Sequence, residues 1–370
     1  MRLFGADELD DLAVGAAILG AGGGGDPYIG RLVARNTLEQ FGPVEVVPVE
    51  EVPDDALVAM SAMMGAPTVM IEKLPSGDEL IRAFEALQDR LGQPITHTVC
   101  AEAGGLNSTM PFVTAARLDL PLVDADGMGR AFPEVQMCTP TIYGISATPM
   151  ALADEKGNTA VVDAVDNLWT ERIARTICID MGASALIALY SQSGQELKTS
   201  MIPGTLTLAQ ELGSLVNRSR ADHADPIEVI LRRLRGFRLF EGKIVDVERR
   251  TEAGFARGSA RLEGSAADTG HTLRIDFQNE NLVAERDDAV LATVPDLITV
   301  LDSETGEPIT TEELRYGFRV VVIGVPCDPR WRTDGGLSLV GPAYFGYDIE
   351  YIPVEERFRS KGRQEVTHGR

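Results

Sequence analysis

Gly20-Ala-Gly-Gly-Gly-Gly-Asp-Pro27 is the stretch on which the fold class turns. Its Gly20-x-Gly22-x-x-Gly25 spacing satisfies the dinucleotide fingerprint, so what precedes it decides the matter. A Rossmann loop follows a buried strand. Here Leu9, Leu12, Ala13, Ala16 and Leu19 recur at helical spacing behind Asp7 and Glu8, so a helix runs into the loop. That order lacks the strand-turn-helix mechanics which bring a pyrophosphate to a helix end. The loop reads instead as a site for a different polar ligand, or as a structural turn between helices. Asp26 and Pro27 read as N-cap and first residue of a second helix reaching about Phe41. Five glycines in six positions are entropically costly and point to close backbone approach. Their N–H groups, ahead of a helix N-terminus, suit a phosphate, a carboxylate or a polarised carbonyl. Gly22, Gly23, Gly24, Gly25 and Asp26 are therefore candidate substrate-binding residues.

Outward from the loop, Val44 to Val49, Leu57 to Met64 and Ile95 to Ala101 read as strands, the second bounded by Gly65 and Pro67. Between them Ser76 and Asp78 offer caps for a helix that puts Leu80, Ile81, Phe84, Leu87 and Leu91 on one face. Strands alternating with helices imply a parallel or mixed sheet. Cys138 to Val162 reads as short strands with a hairpin turn at Lys156-Gly-Asn158, followed by a helix to about Met181 and a strand at Ala183 to Tyr190. Helices opening at Pro203-Gly-Thr205 and Asp225-Pro226 read as a connection. After Gly236 short segments follow at close spacing between Gly, Asn and Asp turns, as in a compact β-barrel or sandwich. The expected architecture is α/β plus β: an N-terminal α/β domain over 1–165, and a second domain over 166–355 whose β-rich part spans about 236–350. A charged tail occupies 356–370.

The chain has 370 residues and a formal net charge of -22. Such a charge repels phosphodiester backbones and anionic lipid, so neither nucleic acid nor a membrane surface is an expected partner. Four widely spaced cysteines without a C-x-x-C pair argue against a disulfide framework and a structural zinc site, and a cytoplasmic location is expected. The N-terminal stretch carries Asp7, Glu8, Asp10 and Asp11 where a signal peptide needs a basic and then an apolar region.

In an open α/β sheet, ligands bind beyond the carboxyl ends of the strands. Two segments stand there: Glu102-Ala-Gly-Gly-Leu-Asn-Ser108, with Asn107 or Ser108 as a helix cap, and Asp124-Ala-Asp-Gly-Met-Gly-Arg130. Asp124 and Asp126 are two apart, which on a strand puts both carboxylates on one face. They are candidates for a general base, or for two ligands of a hard cation such as magnesium, while an ordinary turn with solvated side chains is the plain alternative. Arg130 suits a substrate carboxylate, or pairs with Glu134 one helical turn on. His97 reads as a buried histidine or an acid/base group, and Cys100 and Cys138 as buried thiols or nucleophiles.

Together with Gly20 to Pro27, Glu102 to Asn107 and Asp124 to Pro133, the segments Asn279-Glu-Asn-Leu-Val283, Pro295-Asp-Leu-Ile298 and Gly341-Pro-Ala-Tyr-Phe-Gly346 resemble the S-methyl-thiohydantoin desulfurase family across almost the whole chain. The resemblance implies an N-terminal three-layer α/β sandwich and a C-terminal β-rich, barrel-like domain. It further implies hydrolytic removal of methanethiol from an S-methyl-thiohydantoin, leaving a hydantoin. On chemical grounds, Asp124 or Asp126 would activate water with no cofactor required. Glu102 and Asn107 would contact ring nitrogens, and Arg130 would hold a substrate carboxylate. Two other readings stay open: a non-catalytic ligand-binding or accessory subunit of a hydantoinase-type complex, and a magnesium-dependent enzyme acting on a phosphorylated ligand. The oligomeric state is open too, a homo-oligomer included.

Overall fold

A computed structural model of the chain describes residues 1–25, 27–65, 69, 76–252 and 254–359. Asp26 and Pro67, to which the sequence reading assigns a helix cap and a strand boundary, lie outside the described residues, as does most of the charged tail. The chain forms two compact units: Met1–Leu19, Gly24–Gly213 and Ala253–Phe255 make the first, and Gly20–Gly23, Ser214–Glu252 and Ala256–Arg370 the second.

With helices of nine or more residues numbered, the first unit runs β1 (Arg2–Phe4), α1 (Leu9–Leu19), α2 (Pro27–Phe41), β2 (Val44–Pro48), β3 (Leu57–Gly65), α3 (Asp78–Leu91), β4 (His97–Cys100), α4 (Met110–Leu118), β5 (Leu122–Asp126), β6 (Met150–Ala153), β7 (Thr159–Val162), α5 (Asn167–Asp180), β8 (Ser184–Ser193), β9 (Ile202–Pro203) and α6 (Thr205–Ala221). Its sheet is nine-stranded and mixed, in the order β1-β2-β5-β4-β3-β8-β6-β7 with β9 beside β5. The strands β2, β5, β4 and β3 are mutually parallel. Residues 166–213, read from the sequence as the opening of the second domain, supply β8, which pairs with both β3 and β6 at the centre of this sheet.

Local chemistry explains the elements. The predicted strand-free approach to the glycine loop is a helix, α1, with Leu9, Leu12, Ala13, Ala16 and Leu19 all buried. Ahead of α3, Glu79 accepts hydrogen bonds from the Ser76 backbone and hydroxyl at 3.3 and 3.0 Å. Ala83, Phe84 and Leu87 then pack in one cluster with Ala59, Ala151 and Ala188 of the sheet, and Leu80 is buried as well. Deleting a buried ring such as Phe84 costs about 3–5 kcal/mol. The β6–β7 hairpin turns at Asp154, whose carboxylate accepts from the Lys156 and Asn158 backbones at 3.0 and 2.8 Å. Where a strand was expected just after Cys138 there is a short helical turn, Thr139–Ile142, with Pro140 in its first turn.

The second unit comprises the end of α6, then α7 (Pro226–Leu234), β10 (Phe237–Glu252), β11 (Phe255–Gly264), β12 (Thr272–Gln278), β13 (Glu280–Arg286), β14 (Ala289–Thr293), β15 (Leu297–Asp302) and β16 (Arg319–Val325). These strands form one curled antiparallel half-barrel sheet in the order β14-β13-β12-β11-β10-β16-β15. Its core gathers Phe240, Ile244, Leu262, Ile275, Val300 and Val322, the inward positions of alternating strands. Among the described residues no helix is long and apolar enough to cross a membrane.

Candidate functional site

The parallel strands β4 and β5 lie side by side, with Val99 opposite Val123 and an irregularity just beyond, where Cys100 stands opposite Asp126. Both strands therefore end at the same edge, and the chain leaves them into 101–108 and 127–138. A backbone hydrogen bond from Gly127 N–H to the Ala101 carbonyl at 2.9 Å ties these two segments together, and one from Thr139 N–H to the Gly127 carbonyl at 2.6 Å folds the second back on its own start.

The latter half of the glycine loop joins them. Leu106 N–H donates to the Gly24 carbonyl at 2.9 Å. A side chain at Gly24 would meet the Gly104 carbonyl at 2.8 Å, and one at Gly105 would meet the Gly24 carbonyl at 2.3 Å. Close backbone approach is thus the reason for glycine at both positions. The earlier half behaves differently. Gly22 and Gly23 group with the second unit, where Thr311 N–H donates to the Gly22 carbonyl and a Cβ at Gly23 would strike the Glu280 carboxylate. Gly23 N–H, one of the expected ligand donors, bonds the Gly20 carbonyl at 2.9 Å. Glu280, buried and lying on Gly23, carried no role in the sequence reading; its neighbour Asn279, with a left-handed φ of 57°, is the local signal of a special turn there.

Glu102 is buried at the head of the 101–108 segment. Its Oε1 accepts from Asn107 Nδ2 at 2.6 Å, while Oε2 is buried with no hydrogen-bond partner among the described residues. Burial drives the Glu102 carboxyl up to about 8. The Asn107 amide and the Phe132 backbone N–H oppose the rise, nearby Asp126 adds to it, and Arg130 opposes it. Near neutral pH this side chain is therefore mostly a neutral acid, whose O–H can be donated. Asn107, expected as a ligand contact or cap, sits inside a 3₁₀ turn, Gly105–Ser108. Its amide is spent on holding Glu102 and on the Met63 backbone, whose N–H it accepts at 2.7 Å.

The two aspartates have other partners. Asp126, fully buried, accepts from Ala103 N–H at 2.7 Å and from Gly129 N–H at 2.8 and 3.0 Å, lashing the two strand-end segments together. Asp124 accepts from the Leu206 and Thr207 backbones at 3.0 and 3.2 Å and from the Thr207 hydroxyl at 2.5 Å, capping α6 from a distant strand. Their spacing predicts one shared surface, yet each carboxylate is committed to a different set of donors. No group of three or more His, Cys, Asp or Glu that could hold a metal ion is found among the described residues. Arg130 is fully buried, donates from Nε to the Ala131 carbonyl at 3.0 Å, and lies 4.7 Å over the Phe132 ring. Phe132 has no role in the sequence reading; its local signal is an aromatic residue two positions after Arg130.

Burial, together with Asp126 and Glu102, pushes the Cys100 and Cys138 thiols well above their ordinary range, which disfavours the thiolate a nucleophile needs. His97 is half-buried at the opposite end of β4 from Glu102, and burial lowers its pKa.

The model of the S-Me-THD-like N-terminal domain matches residues 7–164, and that of the S-Me-THD-like C-terminal domain matches residues 165–354. Among solved structures, an X-ray structure of a protein from Chromobacterium violaceum is similar with a TM-score of 0.82 and 26% identity, covering 96% of this chain and 100% of that chain. Among curated proteins none matches.

Proposed function

Because the chain belongs to the S-Me-THD-like family, we propose that it is a hydrolase that removes methanethiol from an S-methyl-thiohydantoin to leave a hydantoin. The observation that carries this reading is Glu102, a buried carboxyl raised to about 8 with one oxygen unpaired, at the carboxyl ends of two parallel strands. Hydrolysis at the S-methylated carbon needs a proton for the departing group and a base for the attacking water. A single carboxyl with a pKa near the working pH can do both in turn.

As the neutral acid, Glu102 gives its proton to the ring nitrogen or the sulfur as water adds to the ring carbon. It then takes a proton back from the added water. The C–O bond forms and the C–S bond breaks; one of the water's protons returns to Glu102, and the other supplies whichever of the ring N–H and the methanethiol S–H Glu102 did not, so Glu102 ends as it began. Asn107 orients the acid through Oε1, and Asp126 holds the Ala103 and Gly129 backbones that shape the site. Gly24 and Gly105 let the loops approach, and Arg130 places positive charge beside Glu102 to temper the cost of its ionised form.

The test is release of methanethiol from a panel of S-methylated thiohydantoins, with unmethylated hydantoins as controls and with Glu102→Gln alongside. Turnover that disappears in the variant supports the reading. Release at the wild-type rate by E102Q removes Glu102 from it, and no release from any ring removes the activity.

A further inference from the structure

We infer that the half-barrel unit carries a binding site for a small organic oxyanion, a carboxylate or phosphate ester attached to a flat apolar body. The site is a cavity of about 390 Å³ contained in the second unit, a volume typical of small-molecule pockets. Its walls include Arg249, Arg250, Arg257 and Arg274, against only Glu248 and Asp276. That balance reverses that of the chain as a whole, which has 56 acidic residues and 34 basic ones. A positive cavity on so acidic a chain focuses anions locally against the general repulsion.

The sheet explains how the arginines converge. On β11 and β12 one face buries Ala260, Leu262, Leu273 and Ile275 in the core, and the other face presents Arg257, Ser259, Arg274 and Asp276. Arg257 stands opposite Gln278, and Ser259 opposite Asp276, so these side chains line one surface.

Arg257 is the informative member. Its Nε is buried without a hydrogen-bond partner, and no ion pair to its guanidinium is found among the described residues. A buried, unsatisfied charged donor facing a cavity is what an absent anion would complete. The other arginines are already oriented. Arg249 donates to the Thr311 and Leu314 carbonyls, and Arg274 donates from Nε to Asp276 at 2.7 Å, which leaves its outer N–H groups for a second partner. Phe277, Leu282, Phe345 and Tyr347 supply apolar wall. Burial raises the Tyr347 hydroxyl to about 12, so it faces the cavity as a neutral donor rather than as a competing anion.

Calorimetric titration of the full chain at low salt with phenyl phosphate and with benzoate, and with benzamide as the uncharged control, tests the site. Saturable binding of either oxyanion without binding of benzamide is expected, and the preferred probe identifies phosphate or carboxylate. Arg257→Gln should weaken that binding on the order of tenfold or more. Arg274→Gln, at an exposed side chain where folding is not at stake, should weaken it as well. Absence of saturable binding by both oxyanions, equal binding of benzamide, or wild-type affinity in R274Q overturns the inference.

Discussion

Glu102 in the first unit and Asp296 in the second are both buried carboxyls, 5% and 0% exposed, and they have opposite surroundings. Asp296 accepts from Cys327 N–H at 2.9 Å, the Tyr351 hydroxyl at 3.0 Å, Val354 N–H at 2.7 Å and Arg332 at 3.3 Å. It draws the segments after β16 onto the turn before β15. Glu102 has the Asn107 amide on Oε1 and the Phe132 backbone N–H beside its carboxyl, and Oε2 has no partner among the described residues. A carboxyl surrounded by donors serves as a staple; one short of donors retains its proton and can hand it on. The difference teaches that burial alone does not mark a chemical group. The number of donors left out does.

The comparison can be broken by removing each charge in turn. The largest effect is expected on turnover: Glu102→Gln keeps the shape and the Asn107 contact but cannot cycle a proton, so methanethiol release should fall by about 10² to 10⁴-fold. An unchanged rate would place the proton transfer elsewhere. Asp296→Asn should cost about 1–3 kcal/mol, because the Cys327 and Val354 N–H groups keep a weaker acceptor while Arg332 keeps Glu355. Urea denaturation reads this, and a midpoint within error of wild type would show the staple to be dispensable.

The third expectation sharpens the sign of the contrast. The folded-state value of Glu102 lies above that of an ordinary carboxyl, so the folded state holds the proton longer than the unfolded chain. Its stability contribution is complete below the ordinary carboxylate range and is lost as the pH rises to about 8, by about 1.4 kcal/mol for each unit across that window. Glu102→Gln should therefore resist urea better than wild type near pH 8 and match it near pH 4, whereas a constant gap across pH would contradict the assignment. The rate profile should show the same group: kcat/KM falls above about pH 8 in the wild type. The smallest effect belongs to Asp124. Its replacement by Ala removes the cap on α6 and should cost about 1 kcal/mol, with turnover retained if capping is its whole role.

Much of this was legible from local pattern. The helical spacing of Leu9 to Leu19 placed a helix before the glycine loop, and the close-set strands after Gly236 announced the half-barrel, because period and turn chemistry are properties of adjacent residues. Asp124 and Asp126 show where that logic stops. Their spacing is visible in the chain, but Asp124 meets the start of a helix some eighty residues later, and Asp126 meets Ala103 and Gly129. Partners so far apart in sequence leave no local trace.

The sequence by itself determined the two-part architecture, the acidic surface and the segments that gather at the strand ends, since all of these follow from composition and periodicity. Only the tertiary structure decided which carboxyl is short of donors, which half of the glycine loop meets Gly104 and Gly105, and where the arginines of β10, β11 and β12 converge. Hydrogen-bond supply and desolvation depend on neighbours in space, and those neighbours are brought together only when the sheets form.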